Sequence, residues 1–90
     1  DVREMENKVL IKLIVLELDS CFDVFIPVNE ILWKVKKLLI KSVSDLTNIP
    51  LDINGDYVLI NKDNSRIYEN NCVVIDTDIR NGSELILISK

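Results

Sequence analysis

The sequence predicts an α+β fold, in which a mixed four- to five-stranded sheet packs on one long helix. Two runs rich in β-branched and aromatic residues, 8–18 and 22–28, flank the turn Asp19-Ser20-Cys21 and are typical of a hairpin. A single stretch, residues 30–46, has helical periodicity, and an alternating strand follows Asn81-Gly82. One helix on one face of a mixed sheet is the simplest arrangement that buries these apolar surfaces.

The predicted helix follows Asn29, a favourable N-cap, and ends before Asn48-Ile49-Pro50, where proline enforces an exit. At about 100° per residue, seven apolar side chains form one stripe, the expected core face: Ile31, Leu32, Val35, Leu38, Leu39, Val43 and Leu46. Trp33 and Ile40 lie outside this stripe, beside Lys36 and Lys37. They form either an exposed anchor ridge for a protein partner or a pair packed under the hairpin or the 47–56 loop.

The segments after the helix complete the sheet. Asn54-Gly55-Asp56 predicts a turn into a third strand, residues 57–60, and a second turn at 62–65 precedes a short strand near Ile67. Composition alone does not choose one strand order over the other possible α+β sheets.

The last strand alternates, so its two faces have different roles. Leu85 and Leu87 point to one side and Ile86 and Ile88 to the other, so burying the first pair against the helix exposes the second. We expect Leu59 and Tyr57 to join the outer face, and Leu10 and Ile14 to extend it. This apolar face is either a protein-binding surface or one covered by a neighbouring subunit or a further domain.

Composition excludes several classes of function. Eleven Lys and Arg stand against fifteen Asp and Glu, a net charge of −4 that opposes nucleic-acid binding. Residues 30–46 carry four Lys, Glu30 and Asp45, for +2, which leaves −6 on the remainder. Cys21 and Cys72 stand without any histidine, so we expect free thiols, no metal site, no cofactor and no catalytic residues. The apolar stretch at residues 9–16 is interrupted by Lys12 and is too short to span a membrane, so we expect no direct membrane insertion.

The chain resembles the ubiquitin-like β-grasp domains of the YukD/EsaB family, small accessory proteins of type VII secretion in Gram-positive bacteria. The resemblance covers about residues 8–89 and rests on Phe25-Ile26-Pro27-Val28 before the helix and on Val73-Val74-Ile75-Asp76, Ile79, Gly82 and Leu85-Ile86-Leu87. It implies one ubiquitin-like domain at 8–90, whose first and last strands lie side by side and parallel, with the long helix as part of the right-handed crossover on one sheet face. Residues 1–7 precede this domain as a tail or as an addition for expression.

The resemblance also implies a function. Members of the family are expected to bind other components of the secretion machinery, in the cytoplasm or at the inner face of the membrane through those partners, and to have no enzymatic activity. The sequence ends in Ile88-Ser89-Lys90, without the glycine pair through which a ubiquitin-type modifier is activated. We therefore expect a protein-interaction module that is not conjugated to targets. The alternative is a ubiquitin-like modifier or sulfur carrier whose terminal glycines have been removed.

Overall fold

Four strands and one α-helix account for most of the chain that the computed structural model describes, residues 7–90. The bounds are β1 (Lys8–Val15), β2 (Ser20–Pro27), α1 (Leu32–Thr47), β3 (Tyr57–Asn61) and β4 (Glu84–Ser89). Short 3-10 helices span Leu16–Leu18 and Val74–Asp76. The predicted short strand near Ile67 is a single bridge to Ile60. Of the predicted tail, residues 1–6 lie outside the described residues.

The sheet has the strand order β2-β1-β4-β3. Strands β1 and β4 are parallel, whereas β2 and β3 pair antiparallel at the two edges, so the predicted pairing of first and last strands is confirmed. The turn before β4 fixes this pairing. Asn81 Oδ1 accepts a hydrogen bond from the Leu10 N–H at 2.8 Å, and the Gly82 N–H donates to the Leu10 carbonyl at 2.8 Å. Gly82 has a φ of +87°, which glycine adopts without a steric penalty.

The helix α1 begins two residues later than predicted. Its N-cap is Ile31, and no side chain caps it. The N–H groups of Leu32 and Trp33 instead donate to the carbonyls of Cys72 and Asn70 at 2.8 and 3.1 Å. A neighbouring loop therefore satisfies two of the amides that an N-cap side chain would serve. At the other end, Asn48 adopts the left-handed conformation with a φ of 58°, which asparagine tolerates better than most residues.

The core lies between α1 and the inner face of the sheet. The helix contributes Leu32, Val35, Leu39, Ile40 and Val43, and the sheet contributes Ile11, Leu13, Val15, Ile26, Leu59, Leu85 and Leu87. The predicted stripe is therefore rotated. Ile40 is 1% exposed, whereas Leu38 is 48% exposed and Leu46 lies on the surface of the last turn.

Candidate protein-binding surfaces

The outer face of the sheet carries a row of isoleucines that crosses three strands and the Ile67 bridge. Ile14 pairs with Ile86, Ile86 with Ile60, and Ile60 with Ile67. Because directly opposite residues point to the same side of a sheet, these four side chains are neighbours. We call them the isoleucine row. Ile67 is exposed and the other three are half-buried.

A second apolar pair lies beside this row. Val58 on β3 is opposite Ile88 on β4, and both side chains are half-buried on the outer face. The predicted outward orientation of Ile86 and Ile88 is therefore confirmed.

The predicted outer position of Leu59 and Tyr57 is wrong. Leu59 is opposite Leu87 and 0% exposed, in the core. Tyr57, two residues before it, has the same orientation and packs against the core while remaining half-buried. The outer residues of β3 are Val58 and Ile60, which the prediction missed. The run Tyr57-Val58-Leu59-Ile60 is apolar throughout, so it has no alternation from which the inward side could be inferred.

Charged side chains border the isoleucine row on one side. Lys62 and Glu84 form a salt bridge at 3.4 Å, and Lys12 lies between Glu84 and Asp23 in the strand register. Positive and negative groups thus alternate across the sheet, and their charges largely cancel. The apolar surface therefore has a polar border on this side, as the rim of a small protein interface does.

A hydrogen-bond network holds the loop that carries Ile67. Tyr68 is buried, and its hydroxyl accepts a hydrogen bond from Asn61 Nδ2 at 3.0 Å and donates one to Asp78. Burial, with the hydrogen bond to Asp78 second, raises the pKa of Tyr68 to about 12. Asn64 Nδ2 also donates to Asp78, at 2.9 Å. The loop between β3 and Tyr68 is thus joined to the segment before Ile79, which fixes the outer end of the isoleucine row.

The predicted ridge of Trp33 and Ile40 on the helix is not a ridge. Trp33 is 42% exposed, but Ile40 belongs to the core, so only Trp33 is accessible. The two residues and Tyr57 line one cavity of about 160 Å³ between α1 and residues 53–57. Residues 53–57 cover the side of the helix where Ile40 lies. This agrees, for Ile40, with the second interpretation from the sequence, in which Trp33 and Ile40 pack under the 47–56 loop.

Lysines surround Trp33. The ammonium groups of Lys34 and Lys37 lie 5.5 and 5.3 Å from the centre of its ring, within the range of cation–π contacts. Lys36 instead points inward and donates to the Tyr57 carbonyl at 3.0 Å and to Asn70 Oδ1 at 2.6 Å. Desolvation by burial, and secondarily Lys90, lowers the pKa of Lys36. Lys36 therefore joins the helix to β3, whereas Lys34 and Lys37 remain at the surface.

An apolar groove runs along the solvent side of α1. Leu38 and Ile53 are exposed in it, and the other lining residues are Glu30, Lys34, Lys37 and Lys41; its volume is about 280 Å³. Sequence reasoning missed this groove because Leu38 was assigned to the core stripe.

The two cysteines differ in their exposure to solvent. Cys21 is exposed and Cys72 half-buried, and both are free thiols. Cys21 is opposite Ile14, next to the isoleucine row.

Among residues 7–90, no helix has the length and apolarity to cross a membrane.

Comparison with known proteins rests on structure, since no family model and no curated protein matches the sequence. The chain superimposes on the EccD5 ubiquitin-like domain from Mycobacterium xenopi with a TM-score of 0.76 and 16% identity, covering 92% of this chain and 94% of that one. A de novo design based on ubiquitin matches with a TM-score of 0.65 and 18% identity, covering 93% of this chain and 90% of the design. The fold is a ubiquitin-like β-grasp.

This ubiquitin-like domain also matches part of a larger assembly. It aligns with a chain of the MycP5-free ESX-5 inner membrane complex with a TM-score of 0.72 and 18% identity. The alignment covers 93% of this domain and 22% of the chain in the complex, so the domain spans about a fifth of that chain.

Proposed function

We propose that this ubiquitin-like domain is a non-catalytic protein-interaction module of a bacterial type VII secretion system, of the YukD/EsaB kind, and that it is not conjugated to targets. The isoleucine row carries the proposal. Four branched apolar side chains in register, bordered on one side by charges that neutralise one another, form a surface suited to a protein partner. The likeness to a ubiquitin-like domain named EccD5 and to a chain of an ESX-5 complex supports the choice of system.

The expected affinity is modest. The side chains of Ile14, Ile60 and Ile86 are already half-buried, so a partner removes only their remaining apolar area from water. Removing this area from water contributes about 25 cal/mol per Å² of favourable free energy. The entropy lost on association cancels part of that free energy. The proposal therefore predicts a transient complex with another component of the secretion machinery, formed in the cytoplasm or at the inner face of the membrane.

The test is affinity capture from lysate and solubilised membranes of the source cell, with the domain as bait and mass spectrometry as readout. We expect noncovalent enrichment of membrane or ATPase components of the secretion system. Ile86→Asp places a charge at the centre of the isoleucine row and should reduce this enrichment at least about tenfold, because a buried unpaired carboxylate is strongly unfavourable.

Leu46→Asp is the matched control, since Leu46 is an exposed apolar residue on the opposite layer of the fold. It should leave the capture unchanged, and thermal unfolding should show that both variants fold. Equal enrichment by the wild type and Ile86→Asp would contradict the assignment of the surface. A ladder of covalent adducts on a denaturing gel, or capture of an adenylating enzyme, would instead favour the modifier.

A further inference from the structure

We propose that the groove on α1 is a second docking site, which binds an acidic protein segment through a large apolar side chain. The floor of the groove is Leu38 and Ile53, its lysine rim consists of Lys34, Lys37 and Lys41, and Glu30 is its one acidic lining residue. The site lies on the helix, whereas the isoleucine row lies on the far face of the sheet. The inference therefore goes beyond the proposed function and stands whichever component the sheet binds.

The floor fits an apolar side chain. Leu38 is 48% exposed, and Ile53 from the loop after the helix is exposed beside it. A groove of about 280 Å³ has room for a leucine, phenylalanine or tryptophan side chain from a partner. Inserting one would remove apolar surface from water on both molecules, which is the main favourable term in such contacts.

The rim selects for negative charge. Lys34 has one acidic partner, Glu30, at 3.9 Å, and both side chains are so exposed that this salt bridge contributes little. Lys37 donates only a long hydrogen bond of 3.4 Å to Asn54 Oδ1. Within residues 7–90, Lys41 forms no salt bridge and no side-chain hydrogen bond. The three ammonium groups are therefore available to carboxylates of a partner.

Two of the three rim lysines also contact Trp33. Lys34 and Lys37 both lie over the Trp33 ring, 5.5 and 5.3 Å from its centre. These contacts restrict two long side chains before any ligand arrives, so less conformational entropy is lost when carboxylates bind. Exposed Trp33 thus orients the rim of the groove, a role that the ridge hypothesis did not include.

An acidic segment fits this surface better than a lipid bilayer does. The apolar floor is a groove between the helix and Ile53, whereas a bilayer surface is flat. The chain as a whole carries a net charge of −4, which disfavours its approach to anionic lipids. A short protein segment contacts only the groove and its lysine rim.

The experiment is selection from a phage-displayed library of short random peptides on the immobilised chain. We expect the enriched peptides to combine Asp or Glu residues with Leu, Phe or Trp. A fluorescent copy of the most enriched peptide should bind at least about tenfold more weakly to Leu38→Glu and to the triple variant Lys34→Glu/Lys37→Glu/Lys41→Glu. Its affinity for the wild type should fall as salt is raised.

Two variants serve as controls. Leu46→Glu changes an exposed leucine of the same helix outside the groove and should bind the peptide as the wild type does. Ile86→Asp should also bind it normally, so failure of the sheet proposal is distinguishable from failure of this one. Enrichment of neutral or basic peptides, no enrichment, or equal binding to Leu38→Glu would overturn the inference. A different outcome would assign the surface to a membrane. In that case the selection yields no acidic peptides, the wild type sediments with phosphatidylserine vesicles, and the triple lysine variant does not.

Discussion

At the scale of single residues, the ionised carboxylate of Asp78 stabilises the folded protein through the hydrogen bonds that it accepts. Tyr68 and Asn64 donate hydrogen bonds to its two oxygens, and Arg66 lies 3.8 Å away. The hydrogen bond from Tyr68 is the main reason why the pKa of Asp78 is below its ordinary value of 3.8. The folded protein therefore binds a proton at this site less tightly than the unfolded chain does.

This difference predicts a pH dependence. The stabilisation is fully present above the ordinary aspartate pKa of 3.8 and is lost as the pH falls through the lowered folded-state pKa. Asp78→Asn keeps an oxygen acceptor but removes the charge, so it should be less stable than the wild type near neutral pH by about 1 kcal/mol, discounted because Asp78 is partly exposed. Urea unfolding from about pH 6 down to about pH 2 should show this gap closing. A gap that stays constant with pH would contradict the prediction.

At the scale of elements, the helix α1 is oriented by Ile40 rather than by Leu38. Ile40 packs in the core beside Leu39 and Val43, whereas Leu38 faces the groove. We expect Ile40→Ala to lower the free energy of unfolding by about 2–4 kcal/mol, since it removes buried methyl groups and leaves a cavity. Leu38→Ala should change it by less than about 1 kcal/mol. Chemical denaturation of both variants checks this, and a larger loss for Leu38→Ala would mean that the helix packs through the predicted stripe.

The sequence predicts elements better than it predicts which side of them is buried. Turn residues such as Asn81-Gly82 and the helix exit at Pro50 are local signals, so the element order was predictable from them. The parallel pairing of the first and last strands was predicted only through the resemblance to β-grasp domains. The burial of Ile40 was not, because it depends on the loop 53–57, which lies against one flank of the helix. The prediction for Leu59 was wrong for a similar reason, because only the pairing of Leu59 with Leu87 shows which face of the sheet it lies on.

At the scale of the whole molecule, the fold separates its two candidate binding surfaces. The sheet has one face against α1, so the isoleucine row lies on the side away from the helix and the groove lies on the helix side away from the sheet. Partners bound to the two surfaces would lie on opposite sides of the domain and would not clash with each other. If both proposed sites bind, the domain holds two components at once on opposite sides.

The same architecture predicts how local stability is distributed. Strands β1 and β4 each have two neighbours in the sheet, and their inward residues, such as Leu13 and Leu85, are fully buried. Residues 49–55 are held by local hydrogen bonds, for example from the Gly55 N–H to the Asp52 carbonyl at 3.1 Å. Regions with few buried contacts open at a small fraction of the global free energy of unfolding.

Native-state hydrogen exchange should therefore be slowest in β1 and β4, where amides are released only by global unfolding, and fastest in residues 49–55. Because Ile53 lies in this segment and forms part of the groove floor, an acidic peptide bound there should slow exchange in residues 49–55 and leave the isoleucine row unchanged. Exchange measured by mass spectrometry with and without the selected peptide checks both statements. Slower exchange in β3 and β4 on adding the peptide would place the peptide on the sheet. Exchange in β4 as fast as in residues 49–55 would contradict the predicted distribution of local stability.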